Sequence, residues 1–445
     1  MAAVFPEDRY RSPPPVSADD LEQLYEDAAA VAQRAREAAF PPEAKKRLRR
    51  FNLREVLALL GVHPTDFYAA IDDSSNGLPQ GEKVGAKRLF ELEDVLKIQQ
   101  HFKLLPRQRY GISRAVSLCI ANFKGGVAKT FTATMLAQYF GMRGWRVLIV
   151  DLDPQASLTG QFDFDPSQSI SDDQTFLPWY YGQAMCEQNL RESQAAEPGV
   201  EYESMWTGTL ASSIRKTYWP SIDLVPANLS LYGGDFALGI RRSTDPAFQW
   251  HRPVADALDT IRDRYDLILI DTPPTLSFGT AAALFASDGL LIPAPAAQPD
   301  FESARAFLKM GAEVLRAARE FQGYEKTFEI FRALVTKYDP NVASQPRIAN
   351  WIRGVFKEHA LAEPMLLTSV AQNLGPRFKT IYEAEASDET AVVRGKDGKV
   401  RAKKISREAL KRALDSANAV NRTIEFDVIE TIKKRAQDAA QERAA

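Results

Sequence analysis

Cysteine is almost absent: Cys119 and Cys186 are the only two in 445 residues, and they stand far apart. With no closely spaced pair, the sequence argues against a disulfide scaffold, a zinc module and a cluster-bearing iron protein, and it suits a reducing cytoplasm. No apolar run approaches the roughly 20 residues that a membrane span needs. Net charge is scarce as well, −2 from 56 basic and 58 acidic residues. Any nucleic-acid binding therefore has to come from local patches rather than from the global field. The opening MAAVFPEDRY lacks the charged-then-apolar pattern of a signal peptide. What is present is an ordinary globular composition, 45% hydrophobic and 26% charged, long enough for two or three domains.

Residues 1–17, with Pro13-Pro14-Pro15, are expected to form a flexible arm. In 18–44, Leu21, Leu24, Tyr25, Ala28 and Val31 recur at helical spacing until Pro41-Pro42 stop the pattern. Such a stripe either pairs with a second copy of the chain or packs on the next domain. Residues 45–108 have the layout of a winged helix-turn-helix. A helix from Leu53 to Leu60 is broken by Gly61, a second opens at Pro64-Thr65 and ends near Asp72, and Gly77–Arg88 is polar, as a hairpin wing would be. "FELEDVLKIQQHF" then resumes a helix. Lys45, Lys46, Arg47, Arg49 and Arg50 suit phosphate contacts, and Thr65 begins the candidate reading helix. A plain helical bundle with a solvated basic face is the alternative.

From about Ser113 short apolar runs alternate with helical segments: "AVSLCIAN", "RVLIVDLD", "IDLVPAN", "DLILIDTPP", "GLLIPAPA" and "IFRALVTKYD". This is the pattern of an α/β fold with a parallel sheet covered on both faces, whose ligands bind at the carboxyl ends of the strands. Between the first strand and its helix stands "NFKGGVAKTF", residues 122–131. It ends in Lys-Thr like a phosphate-binding P-loop, but Phe123 and Ala128 occupy the positions of the two glycines in the strict pattern. Lys129 would reach the β- and γ-phosphates of ATP, and the Thr130 hydroxyl would help to hold Mg²⁺. Gly125 and Gly126 allow backbone conformations and an approach that a Cβ would obstruct. Asp151 and Asp153 end the second strand, and Asp271 follows four apolar residues as a water-mediated Mg²⁺ acid does. An aspartate at a strand end also serves as a turn or helix cap. Three such residues beside one phosphate loop point to chemistry instead, with Asp153 the candidate for positioning the attacking water.

K-G-G-x-x-K-[ST], followed by V-D-x-D-P-Q and D-T-P-P, resembles the deviant Walker-A ATPases, and specifically the ParA-type DNA partition ATPases, over roughly residues 112–390. The resemblance implies a nucleotide loop running from Lys124 through Gly125, Gly126, Val127, Ala128, Lys129 and Thr130 to Phe131, with ATP or ADP and Mg²⁺ as ligands. It implies that Lys124 reaches across an ATP-bound homodimer to the partner's phosphates. Ala128 departs from the glycine found in many members. The N-terminal plan is similar to the larger subgroup of plasmid partition proteins and the RepA proteins of RepABC cassettes. By the same resemblance, "GPRFKTIYEAE" carries candidate DNA-contacting residues, Arg377 and Lys379. The domain division is then completed by an ATPase domain over 109–390 and a basic hairpin with C-terminal helices over 391–445, the hairpin turning at Asp397-Gly398. The resemblance implies non-specific DNA binding in the ATP state, a ParB-type partner that stimulates hydrolysis, and a cytoplasmic, nucleoid-associated location. A MinD-like membrane-positioning ATPase would need an apolar C-terminal amphipathic helix, which "VIETIKKRAQDAAQERAA" does not supply. A nucleotide-sensing repressor shares the N-terminal module and overlaps with the first reading.

Overall fold

The computed structural model describes residues 17–39, 46–374, 379–385, 389–394 and 400–444. The expected arm, except Ser17, lies outside the described residues, as do Arg377 and the Asp397-Gly398 turn. The chain divides into two compact units, residues 1–47 and 48–445. The first contains α1 (Ala18–Ala39). Ser17 starts it by a reciprocal cap: its backbone N–H donates to Asp20 Oδ2 at 2.8 Å, and its Oγ accepts from the Asp20 N–H at 3.2 Å. Leu21, Leu24 and Val31 on α1 are exposed.

The second unit opens with β1 (Phe51–Asn52), α2 (Leu53–Leu60), α3 (Pro64–Asp72), β2 (Glu82–Val84), β3 (Lys87–Phe90), α4 (Leu92–His101) and α5 (Pro106–Tyr110). Asn52 and Glu55 form a capping box that starts α2, and Gly61, at φ 64°, ends it in the left-handed region. Pro64 fixes the first turn of α3. Phe51, Val56, Phe67, Ile71, Phe90 and Val95 close a small core beneath a three-stranded antiparallel sheet of order β1-β3-β2. The helix, turn, helix and hairpin thus follow the spacing in the sequence.

Seven strands form the main sheet: β4 (Val116–Ile120), β5 (Val147–Asp151), β6 (Arg215–Lys216), β7 (Ile222–Val225), β8 (Leu267–Asp271), β9 (Gly289–Pro295) and β10 (Ile330–Thr336). Their order is β10-β9-β4-β8-β5-β7-β6, all parallel except the short β6 edge. Successive residues of the buried strands point to opposite faces and build two separate cores. Val116, Leu118 and Ile120 face one side with Leu267 and Leu269, while Cys119, Ile268 and Ile270 face the other. The first face is covered by α6 (Lys129–Met142) and by the C-terminal helix. The second is covered by α8 (Leu177–Ala196), α9 (Leu231–Thr244), α10 (Arg252–Asp259), α11 (Phe278–Ala286), α12 (Gln298–Gln322) and α13 (Gln345–Phe356). The short α7 (Ser157–Gln161) follows β5, and α14 (Ser369–Leu374) precedes the final ribbon.

That ribbon pairs β11 (Glu389–Arg394) with β12 (Val400–Lys404), beginning two residues before the expected boundary at 391. The expected set of C-terminal helices is instead one continuous helix, α15 (Arg407–Ala444). The reason lies in its composition: those 38 residues contain neither glycine nor proline, so nothing interrupts the hydrogen-bond ladder. No helix among the described residues is long and apolar enough to cross a membrane.

Candidate nucleotide site

Strands β4, β8 and β5 lie side by side in register, with Ile120 opposite Asp271 and Asp271 opposite Asp151. Their carboxyl ends bring the loop after β4, Asp271 and the turn after β5 to one place. The loop is anchored before it turns. Asn122 Nδ2 donates to Pro293 O at 2.8 Å, and Asn122 Oδ1 accepts the Lys124 N–H at 3.2 Å. Phe123, where a first glycine is usual, packs its ring 4.6 Å from that of Phe307 on α12, which gives the departure a packing role. Val127 is buried and does not line the cavity; its carbonyl accepts from Thr336 Oγ1 at 3.0 Å. Gly126 has φ 73°, and a Cβ on Gly125 or Gly126 would project into open space. Ala128 also lies in the left-handed region, at φ 73° and ψ 33°, a conformation that glycine adopts without steric penalty.

A cavity of about 600 Å³ is lined by Gly125, Gly126, Ala128, Lys129, Thr130, Phe131 and Asp153. Thr130 Oγ1 donates to Asp271 Oδ2 at 2.6 Å, while Asp271 Oδ1 is buried with no hydrogen-bond partner. Burial pushes the Asp271 carboxyl up to about 7, against the opposing pull of Thr130 and Lys129. Asp151, pushed up to about 8 by burial and then by Asp271, does not reach the cavity. Its Oδ2 accepts from the Thr159 N–H at 2.9 Å and hydroxyl at 2.7 Å, and its Oδ1 accepts the Asp153 N–H at 3.1 Å. Asp151 therefore holds the turn that presents Asp153. Burial lowers the pKa of the Lys129 ammonium, and Asp271 and Asp153 oppose that shift. Lys129 Nζ donates to Lys124 O at 3.3 Å.

These donors fit magnesium. One hydroxyl and one buried carboxylate with an unsatisfied oxygen match an ion that keeps several waters and takes its remaining ligands from phosphates. Among the described residues no group of three or more His, Cys, Asp or Glu could hold a metal unaided, so the ion would depend on the nucleotide.

Lys124 does not line this cavity. Its Nζ lies 2.6 Å from Asp300 Oδ1 in the first turn of α12, leaving it beside its own phosphate loop but turned away. Lys379 lines the nucleotide cavity itself, as do Gln372 and Thr380, and Thr65 is exposed at the start of α3. The sequence reading missed the far wall, formed by Lys337 and the strap Met365–Thr368. Lys337 follows the end of β10 at φ 51°, so inspecting that strand end would have found it. The strap carries no sequence signal. It is bound beside β10 by the Met365 N–H to Val335 O at 2.8 Å and the Leu367 N–H to Tyr338 O at 2.9 Å.

A parallel sheet with a Lys-Thr phosphate loop after one strand and a magnesium-type carboxylate on the next defines a P-loop nucleoside triphosphatase fold. The family described as "AAA domain" (AAA_31) matches residues 115–320. A protein of Sinorhizobium fredii (strain NBRC 101917 / NGR234), assigned as a replication protein A, is 32% identical over 398 residues, covering 86% of this chain and 87% of that protein. Protein SopA of Escherichia coli (strain K12) is 28% identical over 355 residues, 77% of this chain and 82% of that one. A solved structure titled "Partition Protein" matches with a TM-score of 0.59 at 20% identity, over 92% of this chain and 99% of that chain. The chain belongs to the ParA-type partition ATPase family, together with this replication protein A and SopA.

Proposed function

We propose that the chain is an ATP-dependent DNA partition ATPase. The observation that carries this reading is the Thr130–Asp271 pair at 2.6 Å, with a buried unsatisfied oxygen, beside an open glycine-bearing phosphate loop. The β- and γ-phosphates lie against the N-terminus of α6, where free N–H groups and Lys129 meet their charge. The base extends toward Lys337 and the strap Met365–Thr368, which form part of the cavity wall. Thr130 and Asp271 would hold magnesium, which would supply positive charge against that developing on the phosphates. Asp153, fixed through Asp151, orients the water that attacks in line.

In this reading Lys124 leaves Asp300 and completes the phosphate site of a second copy, so that the ATP state is a dimer. The dimer binds DNA non-specifically through the basic segment around Arg377 and the ribbon β11–β12; Lys379, which lines the nucleotide cavity, is left out of that grip. Hydrolysis, stimulated by a ParB-type centromere-binding partner, releases it. The N-terminal module adds a second role, operator binding by an autorepressor. The location is cytoplasmic and nucleoid-associated. The test is ATP turnover measured alone, with duplex DNA, and with DNA plus the ParB-type protein of the same replicon. Stimulation in the last mixture is expected, and turnover indifferent to both additions would overturn the partition reading.

A further inference from the structure

The helix-turn-helix carries its charge in an unexpected place. Helix α3, the helix that would enter a groove, exposes Asp66 and Asp72 and has neither lysine nor arginine. Carboxylates on that helix would approach the phosphates that flank a major groove. The cations lie to one side. Arg54, in the first turn of α2, and Lys83 and Lys87, on the β2–β3 hairpin, are exposed and have no ion-pair partner among the described residues.

Three features of these cations are unfavourable in the protein alone. Lys83 and Arg88 are direct cross-strand partners, and like charges placed opposite each other repel. Arg54 lies at the positive end of the α2 dipole. Arg88 has a buried Nη1 with no hydrogen-bond partner. All four border one groove of about 650 Å³, together with Asn52 and Tyr68, and no carboxylate lines it. Gly85, at φ 59°, forms the hairpin tip, and a Cβ there would meet nothing. An anion seated in the groove would relieve the first two of these penalties.

Resting on the DNA-binding reading above, we propose that the N-terminal module grips duplex DNA wing first: a phosphodiester strand occupies the groove between α2 and the β2–β3 hairpin. Helix α3 faces that strand with Tyr68 and does not carry the charge contacts. The module therefore supplies salt-sensitive grip through the hairpin, and α3 contributes shape and uncharged contacts.

The test uses full-length protein without nucleotide and a mixed-sequence DNA duplex of about 30 base pairs, with binding followed by anisotropy from about 50 to 200 mM salt. Lys83→Ala with Lys87→Ala is expected to weaken binding at least about tenfold at the low-salt end. It should also flatten the log–log salt slope by about 1.8, two phosphate contacts at about 0.9 each. Arg54→Gln, on a different element, should flatten it by about 0.9, which guards against a folding defect in the hairpin variant. Asp66→Asn with Asp72→Asn should change affinity by no more than about twofold, since those carboxylates lie off the phosphate path. An unchanged slope in both the hairpin variant and Arg54→Gln overturns the proposal and leaves the DNA-binding reading intact. A tenfold gain from the α3 variant overturns it as well, because its carboxylates would then lie on the phosphate path. No binding by the parent protein would overturn both readings.

Discussion

Asp271→Asn separates the stability of this protein from its chemistry. In the folded chain the Asp271 carboxyl is buried and titrates near 7, against 3.8 for the unperturbed group. A carboxylate whose folded pKa is raised favours folding below its unfolded pKa, and that advantage is lost as pH rises through the folded value. Between pH 4 and 7 the ligand-free protein should therefore lose stability, and Asp151, raised to about 8 in the same way, extends the loss upward. A shift of about three units corresponds to roughly 4 kcal/mol at pH 8 and about 1.5 kcal/mol at pH 5. Asparagine keeps an acceptor for Thr130 without the charge and exchanges one unsatisfied buried atom for another, so much of that penalty should be recovered. Urea unfolding of the ligand-free protein is expected to show Asp271→Asn more stable than wild type by roughly 2–4 kcal/mol at pH 8 and by less at pH 5. The same variant should lose magnesium-dependent ATP turnover. If it is equally or less stable at both pH values, Asp271 is not held at electrostatic expense and the magnesium assignment loses its physical basis.

Lys129→Ala removes the main cation of the phosphate loop and should weaken ATP binding by about 1.5–3 kcal/mol in calorimetry, at least tenfold. Asp153→Ala should retain ATP but slow turnover about 10²–10⁴-fold in a phosphate-release assay; wild-type turnover would remove Asp153 from the mechanism. Lys124→Ala should weaken ATP-dependent dimerisation in sedimentation more than it weakens nucleotide binding, and normal dimers would refute the two-subunit role. Ala128→Gly relieves a left-handed alanine and should stabilise the protein by about 0.5–1 kcal/mol, read from denaturant midpoints at unchanged slope.

The strands and the spacing of helices α2 and α3 were legible because they are local. Apolar runs of four or five residues ended by Asp151, Asp271 or the Asn122 loop announce buried strands, and Gly61 followed by Pro64 fixes a break and a restart. The phosphate loop was legible because its backbone chemistry constrains residue type at fixed spacing. What escaped was tertiary. Asp300 lies 176 residues after Lys124, and nothing in "QPDFES" marks it as the holder of that lysine. The strap Met365–Thr368 faces the cavity only because it is tied to β10. Lys379, expected as a DNA-contacting residue, lines the cavity, and its backbone N–H donates to Leu374 O at 3.2 Å, a contact no local pattern announces. Charge and spacing identify a residue's chemistry; the direction in which it points depends on contacts made far along the chain.

Helix α15 links the two ends of this arrangement. Its Ser416 hydroxyl accepts the Leu366 N–H at 3.0 Å and donates to Pro364 O at 3.1 Å, stapling the cavity's outer strap through two backbone groups. One turn later Asn421 donates to Met135 O on α6, which itself lines the cavity, at 3.3 Å. A further turn on, Glu425 accepts from Tyr139 Oη at 2.9 Å, Arg143 Nε at 3.0 Å and Trp145 Nε1 at 3.2 Å. One helix therefore holds both walls of the nucleotide cavity, and the basic ribbon β11–β12 ends two residues before it. A duplex held at the ribbon and a nucleotide held in the cavity would act on the same element.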